Sequence, residues 1–516
     1  MTSNIIEAES KRTDVSLNEE KIMTSRISTV LVILLIVFTT PYFAETNAQK
    51  AGDIKIEPYV FQPVNSEKVD AELGRLIVPE NRKNPASRMI ELAFVRFKST
   101  SKNPGHPIIY LAGGPGGSGI ATARGTRFPL FMAMREVADV IAFDQRATGM
   151  SKPGLACSDV LNYPLDKPGE REELLRLYKD RSRACAERLK SQGIDLAGYN
   201  TNENADDLED LRKALGAEKI SLWSISYGTH LALTTIRRHE KSIHKMIIAG
   251  TEGPPHTIKL PSQVQENLEK INRLAKADPD LNKQIPDLMA MMKSVLDQLD
   301  KQPVTLEATN AANNEKIRVV MSKFDLQRLT ASVVGNEQIA AMPAVYYAFH
   351  KGNLSSPALL PIKQRLIGER RGQIGSAMIF AMDCASGVSK ERLQRINREA
   401  RTTLLGDAID FPFPAICEGW GVPDLGEVFR SPVKSKVPVL FISGTLDART
   451  PIGNAEEVRR GFPNNVHLII EGAVHSDPLF LSSPKIKDVM MEFMTDKPIS
   501  VTKVQLAPMK FAPVGR

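Results

Sequence analysis

Residues 219–238 (KISLWSISYGTHLALTTIRR) constrain the fold of this 516-residue chain more than any other stretch. Lys219–Trp223 is a short apolar run that reads as a buried strand, and Thr229–Arg238 reads as a helix. Passing from strand to helix through so short a turn forces the residue at the apex, Ser226, into a strained backbone conformation. Its hydroxyl is lifted above the sheet, facing the N-terminus of the helix. Strand and helix nearly touch in such a turn, so small residues are needed two positions to either side. Gly228 supplies one, and Ser224 stands where a glycine is usual. The pattern predicts an activated serine nucleophile; the alternative is an ordinary polar loop.

Similar apolar runs recur along the chain: 106–112 (HPIIYLA), 137–143 (VADVIAF), 244–249 (HKMIIA), 437–443 (VPVLFIS) and 466–470 (VHLII). An amphipathic helix is expected at Asn204–Leu215, stopped by Gly216. Buried strands alternating with helices predict an α/β fold with a mostly parallel sheet. Leu73–Pro79 and Met89–Lys98 read as an edge hairpin, after an irregular lead-in over 51–72. The tail beyond Lys497 reads as extended. Residues 253–431 show helical periodicity, as at Val264–Ala275 and Leu359–Met382, and few strand signals. The expected organisation is a leader over 1–48, a first part of the sheet domain over 49–252, an inserted helical cap over 253–431, and a closing part over 432–516.

The apolar run at 106–112 ends in Gly113–Gly119 (GGPGGSG). No Gly-Lys-Ser/Thr follows, which excludes a P-loop. Beside a serine nucleophile, such a loop offers a backbone N–H to the developing oxyanion, with the N–H of Tyr227 as its partner. A base and an acid should then follow the serine, each on a loop after a strand. Of the eight histidines, His475 fits, five residues past the last strand signal; His467 lies inside that strand and reads as packed. Asp447 follows the run at 437–443 and fits the acid that orients the imidazole. Asp144 is the rival acid, but it precedes the serine, and a structural pair with Arg146 is expected instead.

Net charge is +7, without a dense Lys/Arg run, so a nucleic-acid partner is not expected. No CxxC or Cys/His cluster has zinc spacing, and no metal or cofactor is expected. Ile27–Phe38 is apolar but for Ser28 and Thr29, follows Lys21 and Arg26, and leads to small residues ending at Ala48. This reads as a secretory signal cut after Ala48, with Ala44 as the other site, or as an uncleaved anchor, the chain's only expected membrane contact. Either way the folded part lies outside the cytoplasm, periplasmic or extracellular. Four cysteines suit that compartment. They allow three connectivities, and their grouping along the chain predicts Cys157–Cys185 and Cys384–Cys417.

LAGGPGGSG at 111–119, FDQRATGMS at 143–151, WSISYGTHLA at 223–232, SGTLDARTP at 443–451 and GAVHS at 472–476 together resemble the proline iminopeptidase and tripeptidyl aminopeptidase branch of the α/β-hydrolases. The resemblance runs from about residue 70 to 495. It implies the α/β-hydrolase fold, Ser226 as nucleophile, Asp447 as orienting acid, His475 as general base, and the amides of Gly114 and Tyr227 as oxyanion donors. It also implies recognition of a free substrate amino terminus by acidic residues near the cap, for which Glu252 and Glu418 are candidates. The activity expected is that of an aminopeptidase. An esterase with the same triad and a non-catalytic binding protein of the same fold are the alternatives, with a peptide or small ester as partner.

Overall fold

The computed structural model describes residues 49–309 and 314–515. The leader reading lies outside them. Among the described residues twelve strands form, in chain order β1 Ile54–Phe61, β2 Val69–Pro79, β3 Met89–Phe97, β4 Ile108–Leu111, β5 Val140–Phe143, β6 Ile220–Ser226, β7 Ile243–Thr251, β8 Val304–Thr309, β9 Lys316–Met321, β10 Val439–Gly444, β11 Asn465–Glu471 and β12 Lys503–Gln505. Ten of them make one sheet, in the order β1-β2-β3-β5-β4-β6-β7-β10-β11-β12. Pairings from β5 to β12 across the sheet are parallel, and β1-β2, β2-β3 and β3-β5 are antiparallel.

The central strands are apolar on both faces because helices cover both faces. All four residues of β4 are buried. Ile109 and Leu111 pack into one hydrophobic cluster with the helices Arg171–Ser191, Thr201–Ala214 and Tyr227–His239. Ile108 and Tyr110 pack into a second, with Phe128–Met134 and Pro484–Met494. This period-two division across a single strand keeps the sheet in register.

The structure corrects the reading of the lead-in and adds detail to the tail and to the β7–β10 connection. The lead-in is not irregular: β1 pairs with β2, which itself begins at Val69. The tail contributes β12, which extends the sheet beyond β11. In the connection between β7 and β10, the antiparallel hairpin β8-β9 follows the helices Pro261–Ala277 and Leu288–Lys301. The helical periodicity at Leu359–Met382 resolves into two helices, Leu360–Arg371 and Ala377–Ser386. This connection has its own hydrophobic cluster, which also takes in Leu446, Ala448 and Val474 from the loops after β10 and β11.

The cysteines pair as expected, Cys157–Cys185 with Cα atoms 5.5 Å apart and Cys384–Cys417 with Cα atoms 5.2 Å apart. Closing loops of 28 and 33 residues contributes about 2–4 kcal/mol each in the chain-entropy picture. Among the described residues no helix is long and apolar enough to cross a membrane.

Candidate active site

The carboxyl ends of β4, β6, β10 and β11 converge, as ligand sites in open α/β sheets do. Ser226 is the last residue of β6 and the cap of the Tyr227–His239 helix, at φ 54° and ψ −128°. Such strain in a non-glycine residue costs about 1–3 kcal/mol and persists only where its surroundings impose it. The imposing contacts are visible. A Cβ on Gly228 would stand 2.2 Å from the Leu111 carbonyl oxygen, and one on Gly113 would stand 2.9 Å from Ser226 Cβ. Thr229 Oγ1 donates to the Ser226 carbonyl at 2.7 Å and accepts the Glu252 N–H at 2.7 Å. Ser224 fits in place of glycine because its Oγ turns to β7, donating to the Ile247 carbonyl at 3.0 Å.

Two backbone N–H groups belong to residues near the serine, Tyr227 next to it in the chain and Gly114 in the lining of the same cavity. Tyr227 is the first residue of its helix, where N–H groups lack an intrahelical acceptor; its ring is buried, with the hydroxyl 3.1 Å from Thr201 Oγ1. Gly114, at φ 130°, donates to nothing among the described residues.

Asp447 lies on the turn after β10 and is 2% exposed. Its Oδ1 accepts the N–H groups of Arg449 and Thr450, both at 2.8 Å. Its Oδ2 accepts Thr450 Oγ1 at 2.7 Å and stands 2.8 Å from His475 Nδ1. Burial alone would raise the Asp447 pKa; the His475 charge and hydrogen bond and the two Thr450 bonds outweigh it and hold the carboxyl below its usual value. His475 follows β11, and its backbone N–H donates to the Gly335 carbonyl at 2.7 Å, tying the base loop to the β7–β10 connection.

Ser226 and His475 line one cavity of about 520 Å³, shared with Gly113, Gly114, Arg127 and Glu252. Ser226 Oγ has no hydrogen-bond partner among the described residues; such bonds often tighten only when substrate arrives. Ser226, Asp447, His475, Gly114 and Tyr227 are thus brought together. No group of three or more metal-ligating side chains stands among the described residues.

The two acidic candidates fare differently. Glu252 lines the cavity but is already paired, 3.3 Å from Lys259 Nζ. Glu418 is a correction: its side chain is 72% exposed and bonded to Lys179 at 2.6 Å, away from the cavity. Asp144 and Arg146 are another, because they do not pair. Asp144 accepts from Ser118 Oγ (2.6 Å), Ile120 N–H (3.1 Å) and Met150 N–H (2.7 Å), while Arg146 Nε reaches Asp207 at 2.5 Å.

Sequence reasoning missed Arg127, Lys259, Asn336 and Arg449, which also line the cavity. It missed Asp383 as well, on the Ala377–Ser386 helix. Burial, then the nearby Glu252 charge, pushes the Asp383 carboxyl well above its usual pKa. Arg449 lies within the motif SGTLDARTP at 443–451, whereas Arg127, Lys259, Asn336 and Asp383 come from parts of the chain that no such motif covers.

Comparison with known proteins places the chain in a family. The alpha/beta hydrolase fold family matches residues 106–480. Serine protease Hip1 of Mycobacterium tuberculosis (strain ATCC 25618 / H37Rv) is 30% identical over 187 residues, 35% of this chain and 36% of Hip1, so the match spans about a third of that relative. Tripeptidyl aminopeptidase of Streptomyces coelicolor is 24% identical over 85% of this chain and 83% of its own. The crystal structure of proline iminopeptidase from Mycobacterium smegmatis covers 82% of this chain and 98% of its own, with 15% identity and a TM-score of 0.38. The family match takes in well over half of the residues, including the loops that carry Ser226, Asp447 and His475: the chain belongs to the α/β-hydrolase fold family.

Proposed function

We propose that this hydrolase is an exported serine peptidase that removes residues or short peptides from free peptide N-termini. The observation that carries the reading is a strained Ser226 at the end of β6 sharing one cavity with His475, whose Nδ1 stands against Asp447. Ser226 Oγ attacks the scissile carbonyl carbon while its proton passes to His475 Nε2. Asp447 holds Nδ1–H, which leaves Nε2 free to accept. The oxyanion meets the N–H groups of Gly114 and Tyr227. His475 then hands its proton to the leaving amine, and water, deprotonated in turn by His475, releases the acyl group.

A free amino terminus suits the acidic side of the cavity. Glu252 pairs with the Lys259 ammonium, and the carboxyl groups of Glu252, Asp383 and Asp410 all act on it electrostatically. Asp383 has no side-chain partner among the described residues, and a substrate ammonium would favour its ionised form. The segment between β7 and β10 acts as the cap that narrows entry to chain ends. Export is supported by the two disulfides. The names of the Hip1 and tripeptidyl aminopeptidase relatives favour a peptidase over an esterase.

The test compares a peptide amide with its N-acetylated form on purified protein. Acetylation removes the ammonium charge and should lower kcat/KM by about tenfold or more. Equal turnover of the two would overturn the aminopeptidase reading, and rapid hydrolysis of short acyl esters without peptide cleavage would replace it with an esterase.

A further inference from the structure

Apart from the base, four charged side chains line the cavity: Arg127, Glu252, Lys259 and Arg449. Three are compensated. Arg127 Nε pairs with Asp477 at 2.7 Å, and Lys259 pairs with Glu252 at 3.3 Å. Arg449 differs. Its Nη2 donates to the carbonyls of Ala331 (3.1 Å) and Ser332 (2.7 Å), at the C-terminal end of the Lys323–Val333 helix. That end carries negative partial charge, which fixes the guanidinium without neutralising it. Nε and Nη1 have no partner, and no carboxylate forms an ion pair with Arg449, among the described residues. Asp447 lies two residues away, but its oxygens are taken up by His475, Thr450 and the Arg449 backbone N–H.

A partly buried cation without a counter-ion is costly, and burial lowers the Arg449 pKa. The open side of this guanidinium is the cavity where Ser226 and His475 stand. Planar, forked and unpaired, it matches a carboxylate bidentately. With carboxylates around Lys259 and a free guanidinium at Arg449, the cavity has groups for both signs of charge on one small molecule.

We propose that Arg449 binds a carboxylate of the substrate, so that the enzyme favours short peptides carrying a carboxylate close to the scissile bond. This rests on the peptidase reading above. Two sources share the chemistry, the C-terminal carboxylate of a short peptide and an acidic side chain.

Tetra-alanine, its C-terminal amide, and the same amide with a glutamyl residue distinguish them. Each is measured for kcat/KM and for protection of Ser226 against a fluorophosphonate label, in wild type, Arg449→Gln and Arg449→Lys. In wild type a carboxylate-bearing peptide should exceed the neutral amide by about tenfold in both readouts. In Arg449→Gln that ratio should fall to near one, and in Arg449→Lys it should be partly kept. A preference for tetra-alanine identifies the chain end, and one for the glutamyl amide the side chain; either supports the proposal. The ratio within each variant cancels general damage, since Arg449 also anchors the loop that holds Asp447. A wild-type ratio near one, or a tenfold ratio surviving in Arg449→Gln, overturns the proposal. Failure of the peptidase reading shows separately, as no turnover of any peptide while the protection ratio still reports on Arg449.

Discussion

Asp447→Asn isolates the electrostatic part of the site from its shape. The side chains are nearly the same size, and the amide oxygen of the variant could replace Oδ1 as acceptor for the N–H groups of Arg449 and Thr450, both at 2.8 Å. What changes is the other atom. Oδ2 now accepts Thr450 Oγ1 at 2.7 Å and holds His475 Nδ1–H at 2.8 Å. An amide NH2 in that place donates, so Nδ1 must become the acceptor and the imidazole proton moves to Nε2. The nitrogen that should take the Ser226 proton is then already protonated. Loss of the correct tautomer in a Ser-His-Asp site costs about 10⁴-fold in kcat, equivalent to about 5.4 kcal/mol of transition-state stabilisation. The assay is steady-state hydrolysis of an activated ester or peptide amide by the purified variant, with thermal unfolding alongside to show that the fold persists. Activity within about tenfold of wild type in a folded Asp447→Asn variant would refute the role given to this aspartate.

Gly228→Ala should destabilise the protein by about 3 kcal/mol or more, because its Cβ would stand 2.2 Å from the rigid Leu111 carbonyl. Denaturant unfolding checks this, and a midpoint equal to wild type would contradict it. Asp206 accepts from Arg238 (2.8 and 2.6 Å) and lies 2.8 Å from His239 Nε2. Burial would raise its pKa, but the bonds from His239 and Arg238 prevail and hold it at about 2, below the ordinary 3.8. A depressed carboxyl pKa stabilises the fold above the unfolded value and loses that contribution as pH falls through the folded one. Asp206→Asn should therefore cost about 1 kcal/mol at pH 7, with the gap closing between pH 4 and pH 2. An unchanged gap in thermal unfolding at pH 2 would contradict the assignment.

The elements legible in the sequence were those defined by local pattern. β4, β5, β6 and β10 are short buried runs, and the loops that end them contain the glycines, the serine and the acid. β1 escaped because an edge strand is only half-buried, and its interior residues give no clean alternation. β12 is three residues long, too short for any periodic signal. Asp144 and Arg146 are neighbours in sequence, yet the turn after β5 sends the first to Ser118 and Met150 and the second to Asp207. Glu418 stands near the end of the insertion in sequence, but the short helix Cys417–Trp420 leaves it exposed beside Lys179. The spare carboxyl of Asp383 and the unpaired guanidinium of Arg449 depend on how distant segments pack, and the Glu252–Lys259 pair, seven residues apart, depends on the turn between them.

The central claim is that Ser226 is the nucleophile. Its most direct test is to label the purified protein with a fluorophosphonate, digest it, and locate the adduct by mass spectrometry, in wild type and in Ser226→Ala. A single adduct on Ser226 is expected, absent from the variant, together with a loss of hydrolytic rate of several orders of magnitude. An adduct on another residue, or labelling undiminished in Ser226→Ala, would contradict the account.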